Sequence, residues 1–189
     1  MDHQKNLNYQ KGITLFELMI SLSIVLIILT LVGPNIQNIL IKNRIIAEIN
    51  ETSSMLQYAR HLAIDEQAQV VVCPSNNTRE CTYDWNNPKI VFIDDNDDNE
   101  RNPTEEELLL SVGATSVISL MTNESGSDFI KFTGTGEANL NTEIKLCHKD
   151  SEAKYARSLF VTLQGRVKMS TDSDKDGINE DANSDNLVC

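Results

Sequence analysis

Glu17 is the only charged residue between Gly12 and Val32. Its setting is Ile13-Thr14-Leu15-Phe16-Glu17-Leu18-Met19-Ile20, and the chain stays apolar to Val32. A carboxylate at membrane depth is costly and usually marks function. Its natural chemistry is pairing with a cation. In low dielectric such a pair is strong, and either partner alone is heavily penalised. The acid therefore suits a span built to leave the bilayer and join other copies of itself. The bland alternative is an ordinary single-pass anchor with a stray Glu.

Two further clusters could bind charge. Gly165-Arg166-Val167-Lys168 sets two cations beside a turn, and Lys154 and Arg157 lie nearby in sequence. Cations of this kind contact phosphate, with a strength that falls steeply with salt. The alternative is a β-turn followed by solvated cations on a strand. Asp172-Ser173-Asp174-Lys175-Asp176-Gly177 alternates carboxylates and places Gly sixth, like the start of a calcium loop. A full loop would carry Glu at the twelfth position, where Asn183 stands; Glu180 or Asp181 could close a shorter cage. The alternative is an acidic tail held only by its terminal Cys. Asp94-Asp95-Asn96-Asp97-Asp98-Asn99-Glu100 lacks the Gly and reads as a solvated surface loop. Gly134-x-Gly136 reads as a hairpin turn, since no strand-to-helix unit surrounds it. His61 and His148 have no nucleophile or paired carboxylate in a catalytic arrangement, so catalysis is not expected.

The elements that position these residues follow from the pattern. Met1–Gly12 is a polar leader with Lys5 and Lys11 against Asp2. A secretory signal would place its apolar core before the cut. Here the core follows Gly12, so the expected cut is between Gly12 and Ile13. Ile13–Val32 is twenty residues, the length of a membrane-crossing helix. Gly33-Pro34 predicts a kink. Apolar residues then recur at helical spacing (Ile36, Ile39, Leu40, Ile45, Ile46, Ile49, Leu56, Ala59, Leu62, Ala63), so one helix is expected from about Thr14 to Glu66. The expected divisions are leader 1–12, transmembrane and assembly half 13–33, amphipathic periplasmic half 34–66, and a β domain 67–189 with an acidic tail.

After Glu66 the pattern shifts to short strand-like runs: Gln69–Cys73, Lys89–Ile93, Glu107–Val112, Ser116–Met121, Phe129–Phe132, Glu143–Cys147, Ser158–Leu163 and Arg166–Met169. Turn residues separate them. A long helix followed by a mostly antiparallel sheet is an α+β layout. Net charge is −12; without the leader 14 basic and 27 acidic residues remain, which argues against a nucleic-acid-coating surface. The four cysteines, Cys73, Cys81, Cys147 and Cys189, read as two disulfides with three possible connectivities. A Cys73–Cys81 bond would close a short loop, and Cys147–Cys189 would tie down the tail. Zinc is not expected, because there is no Cys-x-x-Cys and no matching His spacing.

Lys11-Gly12-Ile13 and Glu17 resemble the leader motif of type IV pilins and type II secretion pseudopilins. In that family a prepilin peptidase cuts after the Gly and methylates the new amino terminus. Ile13 departs from the usual Phe. Glu17 is then the fifth mature residue, able to neutralise the amino terminus of Ile13 on a neighbouring subunit. Val71-Val72-Cys73-Pro74-Ser75, Trp85 before Ile90-Val91-Phe92-Ile93-Asp94, Ile144-Lys145-Leu146-Cys147, Gly165-Arg166-Val167-Lys168 and terminal Cys189 are similar to the FimT/FimU minor pilins and GspH minor pseudopilins. The resemblance implies a long amino-terminal helix on an antiparallel β domain, with both disulfides formed. It implies single-pass insertion in the bacterial inner membrane, a periplasmic carboxy-terminal domain, and assembly with other minor and major pilins. The implied role is to initiate or cap a pilus serving twitching, adhesion or natural transformation. Gly165-Arg166-Val167-Lys168 also resembles the Gly-Arg-x-Arg motif of some FimT proteins that bind DNA during uptake, with Lys168 in place of the second Arg. Lys is a point charge without the Arg fork. A DNA-uptake receptor and a secretion pseudopilin are the alternative roles.

Overall fold

The computed structural model describes residues 12–189, with 31–35 described only as helix. Met1–Lys11, and so most of the expected leader, lie outside the described residues. Helix α1 runs from Leu15 to Glu66. It starts at Thr14, whose Oγ1 accepts the Glu17 N–H at 3.2 Å. Thr14-x-x-Glu17 thus supplies the first half of a capping box and places an acid where the positive end of the helix dipole favours it. The kink expected at Gly33-Pro34 lies outside the described residues.

The chain divides into two compact units, Met1–Leu40 and Ile41–Cys189, and α1 passes through both. In the first, every described residue is exposed. Leu15 is 79% exposed and Phe16 73%. Ser21 and Ser23 donate to the carbonyls of Glu17 and Met19 at 2.7 and 2.8 Å. The hydroxyls are satisfied within the helix and add no unmet donor to its apolar surface. Among the described residues no helix is long and apolar enough to cross a membrane. The expected span Ile13–Val32 runs into residues 31–35.

In the second unit the helix has a buried stripe: Ile45, Ile49, Leu56, Ala59 and Ala63, each at most 1% exposed. Steps of three, four and seven place them on one face. They pack with residues from two four-stranded antiparallel sheets. One sheet has the order β3-β2-β1-β5, with β1 Val70–Pro74, β2 Lys89–Ile93, β3 Leu108–Val112 and β5 Ile130–Phe132. The other has the order β4-β6-β7-β8, with β4 Ser119–Asn123, β6 Thr142–His148, β7 Arg157–Val161 and β8 Val167–Met169. Strand β1 is buried along its whole length. Val70 and Val72 join the helix core, while Val71 and Cys73 form a second cluster with Ile90 and Phe92. Alternation explains this: successive side chains point to opposite faces.

The sequence suggests one mostly antiparallel sheet, whereas the structure has two. The fourth strand also lies later than its expected Ser116–Met121. Its register on β6, Ser119↔His148 to Asn123↔Ile144, buries Met121 and leaves Val117 outside the strand, 88% exposed. Disulfides join Cys73 to Cys81 and Cys147 to Cys189, with Cα separations of 5.5 and 5.8 Å. The second anchors the last residue of the chain to β6.

Candidate functional site

Three places carry the sequence-predicted residues. The first is the helix start. Gly12, Ile13 and Glu17 are all exposed, and a side chain at Gly12 would meet nothing within 4 Å. The Gly12–Ile13 bond precedes α1. Glu17 keeps its carboxylate at the helix amino end.

The second place is a groove of about 380 Å³ between α1 and the β7–β8 hairpin. Gln57, Arg60, His61 and Ile64 form one wall; Gly165, Arg166, Val167 and Lys168 form the other. Arg60 builds it. Its Nε donates to the Gly136 carbonyl at 2.9 Å and its Nη2 to the Gln164 carbonyl at 3.2 Å. One side chain thereby ties two hairpin tips to the helix. Gly165 has φ +71°, and a Cβ there would lie 1.9 Å from the Gly136 oxygen. Only glycine fits such an approach. The Gly of the Gly165–Lys168 run is therefore explained by packing. Arg166 and Lys168 are exposed and share the groove with His61. Two nearby cations stay out of it. Arg157 is buried, with Nη1 donating to the Ala156 carbonyl; burial lowers its pKa, and Asp172 works against that shift. Lys154 pairs with Glu152 at 2.5 Å and lies over the Tyr155 ring.

The third place is acidic. Ligand oxygens of Asp172, Asp174 and Asp176 come within 4.8 Å of one another, all on exposed residues. Oxygens so gathered suit a hard cation such as calcium, which takes six to eight. Glu180 is not in the group. It is buried and accepts the Ser173 N–H at 2.8 Å and the Asp174 N–H at 3.3 Å. The loop is thus closed by its own hydrogen bonds, with Gly177 at φ +95°.

The expected solvated loop at Asp94–Glu100 differs. Asp94 is 2% exposed and accepts the N–H groups of Asp98 and Asn99, each at 3.2 Å. Lys131 reaches Asp94 at 3.4 Å and also pairs with Asp97. That hydrogen bond lowers the Asp97 pKa. The charge is neutralised by a lysine 37 residues away in sequence.

Lys89 had no sequence signal. It sits on β2, 2% exposed, and donates to Thr115 Oγ1 at 2.8 Å. Burial pulls its pKa down to about 8, against the opposing pull of Glu48, Glu51 and Asp84. One carboxylate oxygen of Glu48 is buried without a hydrogen-bond partner.

Comparisons with known proteins agree with this architecture. The family described as Type II transport protein GspH matches residues 48–165. The prokaryotic N-terminal methylation motif matches residues 7–33. No curated protein sequence matches. The crystal structure of the type IV minor pilin FimU of Pseudomonas aeruginosa is similar at TM-score 0.53 and 16% identity, over 68% of this chain and 90% of that one. The minor pseudopilin EpsH from the Type 2 Secretion System of Vibrio cholerae reaches 0.48 at 11% identity, over 65% and 93%. The likeness to FimU is one of fold: a long amino-terminal helix on antiparallel sheets. With its GspH match spanning more than half its length and a methylation motif at its amino end, the chain belongs to the GspH family of minor type IV pilins and pseudopilins.

Proposed function

We propose that this chain is a minor pilin that enters the inner membrane through Ile13–Val32, with its carboxy-terminal domain in the periplasm. A prepilin peptidase cuts it between Gly12 and Ile13 and methylates the new terminus. It then joins other pilins and helps to initiate or cap a filament. One observation carries this: from Gly12 to Thr30 every residue is exposed, on a helix that is apolar except for Glu17 and a few hydroxyls. Such a surface needs lipid or other subunits to cover it. Glu17 supplies the pairing group for the amine of a neighbour.

Glu17→Ala tests the docking role. The soluble domain should melt unchanged and the membrane level should hold. The filament-associated fraction should fall about tenfold or more, because the neighbour's amine is left buried and alone. Normal incorporation and normal twitching from that variant would contradict the proposal.

The GspH family match favours a second reading, a pseudopilus of a type II secretion system. A deletion strain separates the two. Lost secretion with intact twitching assigns the pseudopilus; the reverse assigns the pilus. A DNA-uptake role for Arg166 and Lys168 has in its favour that both line one groove. A gel shift across salt with Arg166→Ala plus Lys168→Ala tests it.

A further inference from the structure

We infer that the groove between α1 and β8 docks an extended acidic segment of a neighbouring subunit, added to the sheet as a strand beside β8. This rests on the subunit reading above and names the partner surface for it. β8 is the end strand of its sheet, with β7 on one side and no neighbouring strand on the other among the described residues. The Thr162 N–H bonds the Arg166 carbonyl and the Ser170 N–H bonds the Ser158 carbonyl. Alternation then turns the backbone groups of Val167 and Met169 outward, away from β7. An added strand meets those groups with main-chain hydrogen bonds, as in β-augmentation.

Grooves lie on both sides of that edge. One is the helix groove described above; the other, about 390 Å³, is lined by Phe160, Met169 and Ser170 and by the acidic Glu180 and Asp181. Lys168 lines both. Alternate side chains of an added strand would therefore fall into each, the acidic ones into the helix groove and uncharged ones beside Glu180 and Asp181. Charge sets the sign of the partner. His61, Arg166 and Lys168 line the helix groove without a carboxylate among its walls, in a chain whose net charge is −12. Ile64 and Val167 give it apolar floor for the intervening residues.

Polypeptide is favoured over DNA by two observations. Outward main-chain groups suit a peptide backbone. The carboxylates of Asp172, Asp174 and Asp176 begin four residues past Lys168 and would repel a long polyanion.

The test uses the full-length chain in cells that assemble it, with a photoreactive phenylalanine derivative at Gln57. Crosslinked peptides are mapped by mass spectrometry. The expected product joins an Asp/Glu-rich segment of a second pilin-family subunit, and Arg166→Glu plus Lys168→Glu cuts its yield about tenfold. Arg166→Gln plus Lys168→Gln should give an intermediate yield, and circular dichroism should show both double variants folded. The inference is overturned by a crosslink to a non-acidic segment, by one that survives charge reversal, or by a nuclease-sensitive product. It is equally overturned if no crosslink forms while the chain is present in the filament fraction. Absence of the unsubstituted chain from that fraction is a different result: it sinks the subunit reading itself.

Discussion

One helix meets two environments in this molecule. Up to Leu40 its described residues are all exposed; from Ile45 on, a stripe of five is almost wholly buried. Both stretches are rich in Ile and Leu, so composition does not separate them. Patterning does. The carboxy-terminal part interleaves Asn43, Glu48, Asn50, Glu51 and Arg60 with its apolar residues, leaving one face to bury. From Leu15 to Leu29 the helix is apolar on every side but for Ser21, Ser23 and one acid, Glu17, in the first turn. A helix apolar on every side is finished only by lipid or by other chains. On the proposed subunit reading the first stretch is buried between molecules, while the second is buried within its own chain.

Several substitutions sharpen that contrast, measured on the full chain in detergent. Leu56→Ala removes a side chain at 0% exposure from the helix core and should cost about 2–5 kcal/mol in thermal or denaturant unfolding. Leu22→Ala, at a residue 54% exposed, should stay within about 0.5 kcal/mol. Equal losses at the two positions would break the comparison.

Lys89→Met probes the buried side by pH. The folded-state pKa of Lys89 is about 8, below its ordinary 10.5. Below about pH 8 the proton is bound in both states, and the cost of burying the charge is at its full value. As pH rises from about 8 to 10.5, the folded protein sheds the proton first and becomes relatively more stable. Lys89→Met should therefore be more stable than the parent at pH 7, by up to about 3 kcal/mol. Its advantage should shrink through pH 8–10 in parallel unfolding titrations. A pH-independent difference would mean that the amine is not the cause.

The smallest effect belongs to the helix start. Thr14→Ala removes the acceptor for the Glu17 N–H and should weaken the first turn by about 1 kcal/mol. Amide exchange at Glu17 should speed up, with no change at Leu56.

The sequence makes the repetitive elements legible and leaves the long-range ones hidden. Lys89–Ile93 is a strand in both the expectation and the structure because four strand-forming residues, Ile90 to Ile93, sit between Asn86-Asn87-Pro88 and the Asp-rich turn. Ser116–Met121 is displaced because register is set by β6, not by local propensity. The Thr14 cap is local, written in Thr-x-x-Glu. Burial of Asp94 was not readable, since it depends on Lys131 meeting it across the fold. Arg60 falls between apolar residues of the helix, and nothing in its neighbours in sequence marks it. Its role needs Gly136 and Gln164, which only the folded hairpins bring to it.

Mass spectrometry of the protein extracted from its native membrane and from sheared filaments tests the central claim most directly. The account predicts a polypeptide that begins at Ile13, carries a methylated amine, and has all four cysteines oxidised. An intact chain that still starts at Met1 and is never recovered with filaments would contradict it.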